Sequence, residues 1–278
     1  HDWDSTEDMV LADQVIDGSA FCVMPGMVNV HAHLQSESLG RGLIEELGNP
    51  ALYMTGILDE KSVFVTSGLT EQAGGTTAQL AANAASTQNA IAELLKSGAT
   101  TVVDLAVAYD GWLDLLAESG MRVCVAPMFR SARWVTKNGQ VVEYEWSPAA
   151  GEKAMAEALA IVERAEQHPS GRLFGMVVPA QIDTCTEGLL RESHQESRAR
   201  GLSWQIHAAQ SVSEFHEITR RHGVTPIQWL EKLGVLGETS IVGHGIFLDD
   251  YPRVAWHSRR DLALLAETGT MVAHCPTV

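Results

Sequence analysis

What this chain has little of narrows its function first. Its 278 residues carry 19 lysines and arginines against 35 acidic residues, a formal charge of −16. So few cations leave no basic face of the kind that nucleic acid or an anionic membrane requires. Long apolar runs are also missing: none reaches the roughly eighteen residues of a membrane-spanning helix. The four cysteines, Cys22, Cys124, Cys185 and Cys275, lie far apart and form no C-x-x-C pair. That argues against a disulfide framework or a structural zinc site and for a reducing compartment. No G-x-G-x-x-G follows any strand-like run, so the usual mark of a dinucleotide-binding sheet is absent. No secretory leader is evident, and the cytoplasm is the expected location. What is present suits a globular fold: 45% hydrophobic residues and a mean hydropathy of −0.01.

The first 24 residues hold short apolar pieces around Asp17–Gly18 and read as part of a small strand-rich unit. From residue 25 the chain alternates. Strand-like runs are expected at 27–33, 99–107, 121–129, 172–180, 202–210, 239–248 and 270–278. Helical stretches at 76–98, 111–120, 151–168, 186–201, 225–236 and 258–269 separate nearly all of them. Apolar strands alternating with amphipathic helices predict an α/β protein with a parallel sheet covered by helices. An open doubly wound sheet and a closed (β/α)8 barrel both satisfy the pattern. The missing dinucleotide fingerprint favours the barrel, one strand short.

Histidines mark the ends of these strands, where barrel enzymes place their chemistry. The run "PGMVNVHAHLQS" (25–36) brings His31 and His33 to one side of a strand, about 7 Å apart along it, so both can converge on one divalent ion. Strand five ends "IHAAQ" with His207, strand six "VGHG" with His244, and strand seven "AHCP" with His274. Any one alone reads as a hydrogen-bonded core histidine. Five of the chain's 11 histidines at matching positions do not. His168, His194, His216, His222 and His257 fall on helices or loops and are expected to face solvent.

P-G-x-x-x-x-H-x-H, the histidine ending strand five, G-H ending strand six and H-C-P at strand seven together resemble the amidohydrolase superfamily. The order is similar to its triazine and cytosine aminohydrolase branch, near the phenylurea and thiocarbamate herbicide hydrolases. The resemblance implies a (β/α)8 TIM-type barrel over 25–278, comprising strands one to seven, with 1–24 part of a small β-sandwich. It implies one divalent metal ion on His31, His33 and His207, zinc by default, with iron, cobalt or manganese as alternatives. His244 is expected beside the metal and His274 at the substrate rim. The family's last strand and its metal-binding aspartate are expected beyond Val278. Relatives of this fold commonly dimerise, so a homo-oligomer acting on a small molecule is expected.

Two departures bear on the reaction. Where the deaminase branch carries H-x-x-E, this chain has Gln210, whose amide cannot titrate. No lysine ends strand four ("MVVPAQIDT"), which removes a carbamylated lysine bridging two metals. A metal on three nitrogens with an open position lowers the pKa of water from about 16 toward 7. His244 would then serve the developing oxyanion, and Gln210 and Gln35 would orient substrate N–H and C=O groups. Phe129, Trp134 and Tyr53 are candidates for an apolar or aryl pocket. Without a shuttle glutamate, ureas, carbamates, thiocarbamates and activated amides are the expected substrates, as in xenobiotic degradation. The alternatives are deamination or dechlorination of a nitrogen heterocycle, or a metal-free assembly protein that would have lost a ligand histidine.

Overall fold

The computed structural model describes residues 14–36, 77–135 and 143–276. Residues 14–26 run as exposed coil with one turn at 19–20. Strand β1 (Met27–Ala32) follows, then α1 (Thr77–Lys96), β2 (Ala99–Ala106), α2 (Trp112–Glu118) and β3 (Arg122–Phe129). A hairpin of β4 (Ala132–Val135) and β5 (Glu143–Trp146) precedes α3 (Pro148–Glu166), β6 (Leu173–Gly175) and β7 (Val178–Pro179). The chain continues through α4 (Glu187–Ala199), β8 (Trp204–Ala208), α5 (Val212–His222) and α6 (Pro226–Leu233). It then forms β9 (Ser240–His244), α7 (Asp261–Thr268) and β10 (Met271–His274).

Among the described residues every strand pairing apart from the β4–β5 hairpin is parallel, and spatial order follows chain order. β1 lies on β2 and β2 on β3. β3 pairs with β6 near its start and β7 near its end. Single bridges, Val177 to Trp204 and Gln181 to His207, carry the path to β8, which pairs with β9, and β9 with β10. This is the β–α–β repeat of a mainly parallel α/β domain, consistent with a TIM-type barrel. The path curls: the Gln205 side chain of β8 reaches Val30 and His31 of β1. Among the described residues β1 and β10 do not pair, and these two end strands expose Val28, Val30, Met271 and Val272.

Local chemistry explains the helix ends. Thr186, Ser211 and Thr225 cap α4, α5 and α6 by accepting the N–H three residues on, and Pro226 occupies the first turn of α6. The main core lies between strands and helices. Trp204 is wholly buried in it and donates its indole N–H to Ser193 Oγ at 2.9 Å. His194 packs edge-on against Trp204, with ring centroids 5.7 Å apart, and is buried rather than solvent-facing as expected. No described helix is long and apolar enough to cross a membrane.

Seven of the strand positions and six of the helices match the sequence expectation. Three elements were missed, the two strands of the hairpin and one helix. The hairpin lies in a stretch too rich in charge and aromatics to read as either period. Helix α5 did carry a signal, the Ser211-x-x-Glu214 capping pattern ahead of Phe215 and Ile218.

One buried carboxylate fastens β1 to β2. Asp104, fully buried, accepts Leu34 N–H at 3.1 Å and the Trp112 indole N–H at 2.9 Å. Burial raises its pKa to about 7, against those two donors. Asp104→Ala orphans both donors and is expected to destabilise the protein by about 2–4 kcal/mol. Urea unfolding checks this; a loss under about 1 kcal/mol would contradict the two contacts.

Candidate metal centre

Three imidazoles meet where β1 and β8 end. His31 sits in β1, His33 one residue past it, and His207 in β8. Their nearest ring nitrogens all lie within 4.8 Å of one another. Ring centroids are 5.3 Å apart for His31 and His33, 4.7 Å for His31 and His207, and 5.1 Å for His33 and His207.

Each ring has one nitrogen already engaged. His33 Nδ1 is 2.7 Å from the Leu105 carbonyl oxygen, at the end of β2. His207 Nδ1 is 2.5 Å from the Ala180 carbonyl oxygen, just past β7. His31 Nδ1 is 2.6 Å from Gln205 Oε1. A carbonyl oxygen only accepts, so all three Nδ1 atoms carry the proton and donate it. Every Nε2 then keeps a bare lone pair, since a neutral imidazole has only one N–H.

Among the described residues nothing satisfies those lone pairs. His31 Nε2 is buried without a partner. His33 Nε2 and His207 Nε2 face each other at 3.1 Å with no proton left to share. Protonating a ring does not relieve this. Burial, then the neighbouring His33, lowers His31 to about 4. Burial also lowers His33, and burial followed by the other histidines lowers His207 well below the ordinary value. A divalent cation relieves it. Two nitrogens each about 2.0–2.1 Å from zinc at a tetrahedral angle stand roughly 3.3 Å apart. The donor set therefore fits a metal ion.

His244 completes the cluster. Its ring centroid is 5.0 Å from that of His31 and 5.3 Å from that of His207. Both its nitrogens are buried and without partner. Burial, followed by His31 and His33, lowers its pKa to about 3, so it is neutral. Its φ of 76° is left-handed, as is the 53° of Ala209, two residues past His207. Such conformations in residues other than glycine cost on the order of 1–3 kcal/mol and gather at functional sites. Glu214, fully buried, holds the turn after β8 by accepting Ala209 N–H at 2.7 Å and Gln210 N–H at 3.2 Å. Its role was not foreseen.

The other candidates spread outward. Gln210 follows His207 by three residues and is partly buried. His274 is exposed and donates from Nδ1 to the His244 carbonyl at 2.9 Å. Gln35 is buried, and its Oε1 accepts Val107 N–H at 3.1 Å, which ties the end of β1 to that of β2. Phe129 packs in the core against Met155 and Leu189, on the helix side of the sheet. Trp134, in the β4–β5 hairpin, donates its indole N–H to Asp183 at 2.8 Å. Tyr53 lies outside the described residues.

Comparison with known proteins identifies the family. Residues 22–278 match the amidohydrolase family. The chain is 29% identical over 265 residues to a 5-methylthioadenosine/S-adenosylhomocysteine deaminase of Thermococcus onnurineus, covering 95% of this chain and 54% of that protein. It is 28% identical over 267 residues to such a deaminase of Archaeoglobus fulgidus, with 94% and 54% covered. The chain thus spans about half the length of the curated relatives it matches. An adenosine deaminase of Xanthomonas campestris with bound zinc superposes with a TM-score of 0.66 at 20% identity, over 91% of this chain and 49% of that one. A guanine deaminase of C. acetobutylicum with bound guanine gives 0.65 at 18%, over 91% and 54%. An atrazine chlorohydrolase of Arthrobacter aurescens complexed with zinc gives 0.65 at 18%, over 90% and 53%. At these identities the structural likeness speaks to the fold.

Two outcomes check the geometry. A Cβ on Gly243 would stand 2.7 Å from His31 Cε1 and 3.0 Å from Nδ1, so the ring must move. Gly243→Ala is expected to weaken zinc binding tenfold or more by chelator competition, on the order of a lost supporting contact; unchanged affinity would contradict the packing. The second outcome concerns pH. All four imidazoles are lowered, so below the ordinary 6.5 the unfolded chain binds protons that the folded metal-free protein refuses. The share of the metal-free protein's stability that these rings supply is expected to be lost from pH 6.5 down through the value of about 4 for His31. Burial raises the carboxyls of Asp104, Asp183, Glu214 and Asp261, which act in the opposite sense, so the rings are followed directly by 15N NMR. An imidazole of the cluster found protonated at pH 6 in the folded metal-free protein would contradict the neutral cluster.

Proposed function

Because the chain belongs to the amidohydrolase family, we propose that its histidine cluster holds one divalent ion, zinc first, and that the protein hydrolyses a non-peptide C–N bond of a small molecule. The observation that carries this reading is the convergence of three unprotonated Nε2 atoms whose Nδ1 protons are all committed elsewhere. When bound there, the ion supplies Lewis acidity and an activated water.

The chain's own groups account for the rest. His31, His33 and His207 hold the ion. Neutral His244, whose nitrogens have no partner among the described residues, gives or takes a hydrogen bond at an oxygen or nitrogen borne by the reacting carbon. The apolar layer behind the rings keeps all four imidazoles neutral.

The names of the relatives favour an exocyclic amine on a purine or its nucleoside as the leaving group. Deamination of a nucleoside-like ring is therefore preferred to the herbicide-type substrates expected from Gln210 alone. Gln210 supports a second reading, a leaving group such as chloride that departs without a proton. A glutamine orients substrate but cannot ferry a proton to an amine.

A substrate panel separates these readings. Full-length, zinc-loaded protein is offered adenosine, 5-methylthioadenosine, guanine, a chlorotriazine and a phenylurea, with ammonia, chloride and aniline measured. Ammonia from an aminopurine, abolished by chelation, is expected. No product from any substrate, or activity untouched by chelation, would contradict the reading. Gln210→Glu supplies a titratable carboxyl and is expected to raise ammonia release by about 10²-fold, the lower range for a positioned acid–base group. An unchanged rate would remove Gln210 from the proton path.

A further inference from the structure

We infer that Gln205 is the positioning residue of the metal centre: its amide oxygen takes the Nδ1 proton of His31 and thereby turns the bare Nε2 of that ring toward its two partners. The inference rests on the metal reading above and deepens it.

The three ligands are not held alike. His33 and His207 lean on the carbonyls of Leu105 and Ala180, which are parts of the strand framework. His31 alone leans on a side chain, 174 positions away in the sequence. Gln205 is fully buried, so no water competes for its amide. Its orientation is determined from the far end. Nε2 donates to the Val30 carbonyl at 3.4 Å and toward Met176 Sδ at 3.6 Å, and neither atom can donate in return. The oxygen must therefore face His31.

Reversing that amide would set an NH2 group against His31 Nδ1. The imidazole would then carry its proton on Nε2, where it has no acceptor among the described residues and no lone pair to offer an ion. The ring also lies close to the Gly243 backbone, where an added Cβ would stand 2.7 Å from His31 Cε1. Acceptors of this kind also make the opposite nitrogen more basic, and their loss weakens metal binding by about 10–100-fold.

The test compares full-length wild type, Gln205→Met and Gln205→Glu, each stripped of metal. Zinc affinity is measured by chelator competition, and the His31 tautomer by 15N NMR of the imidazoles. Wild type is expected to show His31 protonated on Nδ1. Gln205→Met, which keeps bulk but offers no acceptor, should bind zinc about 10–100-fold more weakly and lose that single tautomer. Gln205→Glu keeps an acceptor oxygen and should recover most of the affinity. Wild-type affinity in Gln205→Met, or equal losses in both variants with the tautomer unchanged, would overturn the inference and leave the metal centre standing. Wild-type protein that takes up no ion would overturn both. Should Gln205→Met fail to fold, a wild-type His31 protonated on Nε2 would still refute the assignment.

Discussion

Three imidazoles can share one cation only if each presents a bare nitrogen to it, and this chain secures that by occupying the opposite nitrogen of every ring. Two of the acceptors are backbone carbonyls near strand ends, Leu105 and Ala180, and the third is a buried amide, Gln205. The rest of the site follows from that constraint. Parallel strands in chain order bring those carbonyls to one end of the sheet. Its curl brings β8 and β9 against β1. Asp104 and Gln35 then anchor the residues around His33 to β2.

The four rings are placed for a shared cation rather than for one another. They stand within ring contact and stay neutral because burial makes the charged form unfavourable. The Nε2 atoms of His33 and His207 face each other at 3.1 Å. Left-handed residues at Ala209 and His244 add backbone strain beside the same rings. Glu214 and the Asp249–Asp261 pair hold the loops that follow. Asp249 accepts Ser258 Oγ and the Asp261 N–H, and Asp261 accepts from Thr225 and Gln228. The strain is local and its supports lie in the loops, so the strands need not distort to carry it. A net charge of −16 adds a general attraction for cations but does not choose the site.

Much of this was legible in the residues. Apolar strand-like runs between amphipathic helices marked the α/β alternation. Histidines at equivalent strand ends gave His31, His33, His207 and His244 as a group. What escaped has a common cause, because it depends on contacts between distant strands. Nothing in "WQIHA" marks Gln205 as the partner of a histidine in the first strand. Gln35 looked like a substrate ligand because it follows H-x-H, yet its oxygen serves a backbone N–H. His194 looked solvent-facing because its helix is polar, whereas the ring turns inward onto Trp204. Phe129 is apolar at a strand end, and only the packing shows that it turns toward the helices.

The most direct test of this account is an anomalous difference map at the zinc edge from crystals of the zinc-loaded, full-length protein. A single peak about 2.0–2.1 Å from the Nε2 atoms of His31, His33 and His207 is the predicted result. A peak bound through any Nδ1, a peak elsewhere, or none after loading would contradict it.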